Sequence, residues 1–356
     1  MRFDAAIVGG GAAGSILAWK LAEKGWKVAV LERKKEAGGK VCGGLVSHRV
    51  IRFSGTEAIM NEIRGARVFF PGGKEVTIGG ERIYAYVIDR DAFDREMMEK
   101  AVAAGADYHT GFRVERIADR KIKGKEDIEF DYLIGADGAS SMVASLHNMG
   151  EIEHINAIQG HSKDGNKEEY VSVYFDNTIS PGFFSWVIPD GEKARIGLGS
   201  VERNVRKKLN MLEKKIGTEV RETRGAIIPA GLRKLYVRNV ALIGDAAGQV
   251  KATSGGGLYA ICVAASSLAD SFPDFSDYKK RFMKEFGGEI ERTLMARKIF
   301  LKLKNEDMDH IAEYVESETK MISRYGDIDY QSEVAKRFFV KHPLATLMIL
   351  MKRFFI

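Results

Sequence analysis

Six residues near the front of the chain, Gly9-Gly10-Gly11-Ala12-Ala13-Gly14, limit what it can fold into more than any other segment. They fit the pattern G-x-G-x-x-G and lie between an apolar run, Ala5–Val8, and a helical pattern, Ala12–Lys24. A second strand-like run, Lys27–Leu31, follows, which makes a strand–helix–strand unit of about 30 residues. Gly9 permits the tight turn out of the strand, Gly11 leaves the backbone bare where a pyrophosphate approaches, and Gly14 lets the helix close on the sheet. The free N–H groups and partial positive charge of the helix N-terminus face the same place. Glu32 ends the second strand 18 residues beyond Gly14, near the spacing of about 20 at which a carboxylate meets the adenosine ribose. A carboxylate there repels a 2′-phosphate, which disfavours NADP. Gly9, Gly11, Ala13, Gly14, Glu32 and Arg33 are the candidate residues of a dinucleotide site.

The rest of the sequence bounds the answer. With 356 residues, 45% hydrophobic and 29% charged, the chain can bury a large core, which excludes disorder as its main state. Two cysteines, Cys42 and Cys262, exclude a disulfide framework and a Cys-rich metal centre, and they fit a reducing compartment. The seven histidines are scattered without metal-ligand spacing, so no metal is expected. His48 lies nearest Cys42, and as a lone His it reads as structural or exposed. Net charge is +6, without a basic block that would argue for nucleic acid. No apolar run is long enough to span a bilayer. The segment Arg337–Ile356 holds Leu344–Met351 flanked by cations. It either packs on the protein's own core or lies in a lipid interface, with Lys352 and Arg353 at the phosphates.

Residues 66–86 read as short strands around Pro71-Gly72-Gly73-Lys74, and Asp91–Ala104 as a helix with Asp91 as N-cap. Alternating patterns over 154–201 predict an antiparallel sheet, and Val237–Ile243 reads as one buried strand before Gly244-Asp245. Lys193–Arg224 reads as a solvated charged face, and helical periodicity dominates from Tyr278 onward. The expected fold is α/β (α+β): a Rossmann-like domain from 1–60, 84–150 and 234–272, an inserted antiparallel-sheet domain from 61–83 and 151–233, and a helical C-terminal region, 273–356.

The glycine motif does not separate NAD from FAD. Two later strand-to-turn segments do: Tyr132-Leu-Ile-Gly-Ala-Asp-Gly-Ala-Ser-Ser141, and Val240-Ala-Leu-Ile-Gly-Asp-Ala-Ala-Gly248. With them the chain resembles the flavoproteins built like p-hydroxybenzoate hydroxylase. That resemblance implies FAD, with Asp245 on its ribityl chain, Arg90 as a contacting arginine and Val114 holding the adenine through its backbone. Arg90 otherwise reads as a surface arginine at a helix start, and Asp137 as a plain turn residue. A helix beginning near Gly256, with Gly257 and Leu258, would offer N–H groups to the flavin's pyrimidine edge.

Within that group, Gly244-Asp-Ala-Ala-Gly-Gln-Val-Lys-Ala-Thr-Ser-Gly-Gly-Gly-Leu-Tyr259, Lys40-Val-Cys-Gly-Gly44, Phe184-Ser-Trp-Val-Ile-Pro189 and Ile227-Ile-Pro-Ala-Gly231 resemble the geranylgeranyl reductase family. Ile188 stands where that family usually has Phe, and Ala252 where Pro is expected. The resemblance covers most of residues 1–270. It implies an FAD-dependent oxidoreductase that reduces isolated C=C bonds in polyprenyl chains, geranylgeranyl groups of membrane ether lipids foremost. Hydride would come from reduced flavin and a proton from elsewhere. An unactivated alkene has nothing to polarise, so orientation and a dry pocket carry the catalysis. Phe183, Phe184 and Trp186 are either the wall facing the flavin or ordinary sheet core. Cys42 either donates a proton or fills space beside the cofactor, where Gly43 and Gly44 allow close backbone approach.

No second dinucleotide motif is visible, so the electron donor stays open between a ferredoxin and a reduced nicotinamide. The implied location is cytoplasmic, peripheral on the inner membrane face. Other enzymes of the same fold (monooxygenase, halogenase, quinone reductase) and a membrane-docked flavin electron shuttle are the alternatives.

Overall fold

The structure, a computed structural model, describes residues 1–343; Leu344–Met351 and the residues after it, on which the reading of the apolar C-terminal segment rests, lie outside the described residues. Among the described residues no helix is long and apolar enough to cross a membrane, and no cluster of His, Cys, Asp and Glu could hold a metal.

Strand β1 (Arg2–Val8), helix α1 (Ala12–Ala22) and strand β2 (Val28–Glu32) form the unit read from the sequence. β1 pairs in parallel with β2 on one side and with Ile128–Gly135 on the other. Val240–Leu242 and Asp107–Thr110 extend the parallel sheet at its two sides, and short antiparallel strands complete its eight. Helices cover this sheet, so its central strands are apolar on both faces: Ala5, Ala6 and Ile7 of β1, and Ala29 and Val30 of β2, are fully buried.

A second, seven-stranded sheet runs Val220–Ala230, Glu153–Ser162, Ala194–Ser200, Ser185–Pro189, Tyr170–Tyr174, Gly65–Phe69, Glu75–Gly79. Its neighbours are antiparallel except that Tyr170–Tyr174 and Gly65–Phe69 run parallel. Those two strands are joined by a long excursion through the first sheet, so no hairpin fixes their relative direction. Strand alternation splits the sheet's faces. Ile155, Ala157, Trp186 and Ile188 fill the core toward the first sheet. Ile158, Ile196 and Leu198 pack on the other side with Leu209 and Leu212 of the helix Val205–Ile216. A small third sheet, Leu45–Val46, Ala85–Ile88 and Ile59–Ile63, sits between the two.

Three local readings change. The helix expected at Asp91 starts at Arg90, capped by Asp89, whose carboxylate accepts from the N–H of Asp91 and Ala92; Asp91 instead accepts from Gly39 N–H at 2.6 Å. The strand expected over Val237–Ile243 is two, Tyr236–Val237 folding back on Val240–Leu242, because Arg238 turns the chain with a left-handed φ of 52°. The charged stretch from Lys193 is solvated only in part, since Ala194–Ser200 is buried throughout, Arg195 included. In the C-terminal helices, Phe275, Tyr278 and Phe282 pack into the first core.

Candidate active site

The two large sheets enclose a cavity of about 770 Å³. Every candidate residue except Gly14 lines it: Gly9, Gly11, Ala13, Glu32, Arg33, Cys42, Gly43, Arg90, Val114, Asp245, Gly256, Gly257 and Leu258, with Phe183, Phe184 and Trp186. Gly14 has the role its spacing predicts. A Cβ there would stand 1.9 Å from the Gly9 carbonyl oxygen, so the helix could not reach its place. Gly9 itself has φ +104° and is pressed against the Ala136 carbonyl.

The glycine turn is held by groups the motif does not announce. The Tyr108 hydroxyl donates to the Gly10 carbonyl at 2.6 Å and meets the Ser15 hydroxyl at 3.0 Å. Burial raises the Tyr108 pKa, so the phenol keeps its proton. Glu32 accepts from the N–H of Gly10 at 2.7 Å and of Lys34 at 2.8 Å. The carboxylate expected at the ribose thus also ties the end of β2 to the turn.

Two observations test whether a dinucleotide fits. A Cβ on Gly11 would meet no protein atom within 4 Å, so the backbone there opens onto free cavity. The Arg90 guanidinium is buried in an ion pair with Asp94 at 2.9 Å, and its Nε has no protein partner. Burial opposes its charge, but Asp94 and the Cys42 sulfur outweigh that and hold its pKa above the ordinary arginine value. Arg90 is therefore a buried, charged donor with capacity left over, not a surface arginine.

Asp245 ends the second strand-to-turn segment, in the 3₁₀ turn Gly244–Ala247. Gln249 accepts from Gly244 N–H and donates to the Tyr278 hydroxyl, which donates to the Leu242 carbonyl. This buried chain fixes the turn. Lys40 donates to Asp245 at 2.7 Å, and the carboxylate raises the Lys40 pKa. The helix expected near Gly256 begins at Leu258, with Gly257 as its uncapped N-cap. Asp137 lines the cavity but caps the helix Met142–Leu146, accepting from Ser141, Met142 and Val143. His48 is exposed and apart from the cavity lining.

The remaining wall comes from the second sheet. Phe183 and Phe184 stack at 4.3 Å, and Trp186 meets Phe184 edge-on at 5.8 Å. Phe183 and Trp186 are buried in the core and also line the cavity, so core and wall are one surface here. Cys42 is half-buried in the lining. Lys251, which the sequence reading passed over, is buried beside Asp329 at 3.4 Å and donates to the Ile328 carbonyl. Burial lowers its pKa, with Asp329 acting the other way. Arg49 pairs with Asp327 and Asp329. These bonds hold the segment 327–331 against the cavity, where Ile328, Asp329 and Gln331 form part of the wall.

A parallel sheet with this glycine turn, and a second sheet closing over it, define a dinucleotide-binding protein. Residues 2–209 match the FAD binding domain family, and FAD is the cofactor. The chain is 35% identical to the geranylgeranyl diphosphate reductase of Rhodobacter capsulatus, with 81% of each chain covered. It is 29% identical to digeranylgeranylglycerophospholipid reductase 2 of Methanopyrus kandleri, covering 96% of this chain and 97% of that one. The chain belongs to the geranylgeranyl reductase family. A crystal structure of a geranylgeranyl bacteriochlorophyll reductase-like protein from Thermoplasma acidophilum shares its fold, with a TM-score of 0.84 at 22% identity and 99% of both chains covered.

Proposed function

We propose that this protein is an FAD-dependent reductase of isolated C=C bonds in geranylgeranyl chains, with a membrane ether lipid as substrate. The observation that carries the reading is one shared cavity. The apolar wall of Phe183, Phe184 and Trp186 and the dinucleotide-binding turn open into the same 770 Å³. When bound and reduced by its donor, the flavin would supply the hydride. The chain's own residues do the rest. Gly9, Gly11, the start of α1, Arg90 and Asp245 hold the cofactor. The aromatic wall excludes water and orients a prenyl chain that offers only apolar surface. Cys42 delivers the proton to the second alkene carbon in this reading; its support is a half-buried thiol in the lining. Peripheral membrane contact follows from where such a lipid resides, and the donor is a ferredoxin or a reduced nicotinamide.

The test is anaerobic reduction of the purified holoprotein with dithionite, followed by a geranylgeranylated glycerophospholipid and mass spectrometry. A ladder of gains of about two hydrogens per double bond is expected from hydride plus proton. A reducible flavin with unchanged lipid would overturn the reading and leave a flavoprotein with another substrate.

A further inference from the structure

The part of the cavity wall that the second sheet contributes is apolar except at one place. Gln159, on the strand Glu153–Ser162, is 8% exposed and lines the cavity. A buried amide in apolar surroundings is costly unless both its ends are bonded, and both are. The Trp186 indole N–H donates to Gln159 Oε1 at 3.0 Å, and Gln159 Nε2 donates to the Cys42 carbonyl at 3.0 Å. A second side chain of the same sheet repeats the contact one residue on. Arg195, 7% exposed, donates from Nη1 to the Gly43 carbonyl at 3.2 Å, and Asp190 faces its Nε at 3.6 Å. The turn has no room to choose another position. A Cβ on Gly43 would lie 2.8 Å from Ile188 Cδ1, and one on Gly44, where φ is +70°, 2.0 Å from Arg195 Nη1. The carbonyls are thus pinned by the sheet, while the Cys42 sulfur takes a long contact from Gly44 N–H, 3.4 Å, and lies beside the Arg90 guanidinium.

We propose that Gln159 is a positioning residue: bridging the Trp186 indole to the Cys42 carbonyl, it sets the Cys42 thiol relative to the aromatic wall. The proposal rests on the reading that Cys42 takes part in the reaction, and it extends that reading to a residue no motif marks. The wall that receives the prenyl chain and the turn that carries the thiol then move as one body.

The experiment uses the flavin-loaded full chain and two readouts. The first is the rate at which iodoacetamide alkylates Cys42, with buried Cys262 unreactive; it needs no lipid. The second is turnover. Gln159→Leu, which loses both bonds, and Gln159→Glu, which keeps the indole bond and loses the one to Cys42, should each change the alkylation rate at least fivefold. Each should lower kcat about tenfold with KM within about twofold, as expected when geometry rather than binding is lost. In a Cys42→Ala background, Gln159→Leu should cost nothing further, because residues acting through one another are not additive. An unchanged alkylation rate in a flavin-loaded variant overturns the proposal, as do losses that multiply in the double variant. Should Gln159→Leu fail to retain flavin, Trp186→Phe, which removes the indole donor, takes its place under the same criteria. If the wild type reduces no lipid, the functional reading falls and the alkylation rates alone decide the role of Gln159.

Discussion

Two glycine turns approach the cofactor cavity, and they are filled in opposite ways. In Gly9–Gly14 the space a side chain would need is taken largely by backbone: Gly14 meets the Gly9 carbonyl of its own turn, and Gly9 meets the Ala136 carbonyl just past the neighbouring strand Ile128–Gly135, while Gly10 meets the side chains of Tyr108 and Glu32. In Cys42–Gly44 it is taken largely by side chains of the other sheet, Ile188 and Arg195, with the Ile88 carbonyl behind Gly44. A position filled by the backbone of its own turn, as Gly14 is, is a local requirement, and a short pattern carries it. A turn filled from across the molecule is a tertiary requirement, and it shows in the sequence only as two glycines after a cysteine. The first kind resists second-site repair, whereas the second can be relieved by trimming the partner.

The largest effect should therefore come from Gly14→Ala. Nothing near it can move, and overpacking of about 3 kcal/mol or more is expected; denaturant unfolding and flavin absorbance should show a destabilised chain without cofactor. No side-chain substitution should restore it. Gly43→Ala should cost less, about 2 kcal/mol, since only the terminal methyl of Ile188 obstructs it. Ile188→Val removes that methyl, so the double variant should unfold at higher denaturant than Gly43→Ala alone. If the double is no more stable than the single, the distinction between the two turns fails.

A smaller effect tests the cofactor side. Asp245→Asn keeps the size and removes the charge that Lys40 pairs with, and FAD affinity should fall about tenfold, ~1.4 kcal/mol, by fluorescence titration. The smallest concerns a third turn, Ser254–Gly257, backed by a flexible side chain: Gly256 lies against Lys251. Burial places the folded-state pKa of Lys251 below the ordinary 10.5. Between those two values the unfolded chain holds a proton that the folded one has released, so stability rises with pH there. The stability of the wild type relative to Lys251→Met should increase as pH climbs through that window, and a flat difference would contradict the shift.

The same distinction explains what could be read from the sequence. The β1–α1–β2 unit was legible because its requirements are local: a turn, a helix start, a strand end; Glu32, picked by spacing, and Asp245, implied by resemblance, both line the cavity. Phe183, Phe184 and Trp186 were legible as a group, but the period of a strand cannot say whether a face meets core or cavity, and here it meets both. Gln159, Arg195, Tyr108 and Lys251 were not legible. Each owes its role to a partner far along the chain, and alone each reads as an ordinary polar residue. Arg195 was hidden by its neighbours, since a charged stretch reads as solvated even when one strand within it is central. The Asp89 cap was missed because Asp89 and Asp91 both precede the helical pattern and only geometry chooses between them.

The segment 327–331 completes the cavity wall from far beyond the last strand of the flavin sheet, through Arg49 and Lys251. During synthesis that sheet, its glycine turn and the aromatic wall all leave the ribosome before the residues that close them in. A chain that folded in the order of its synthesis would hold the flavin site open on this side until that segment docked.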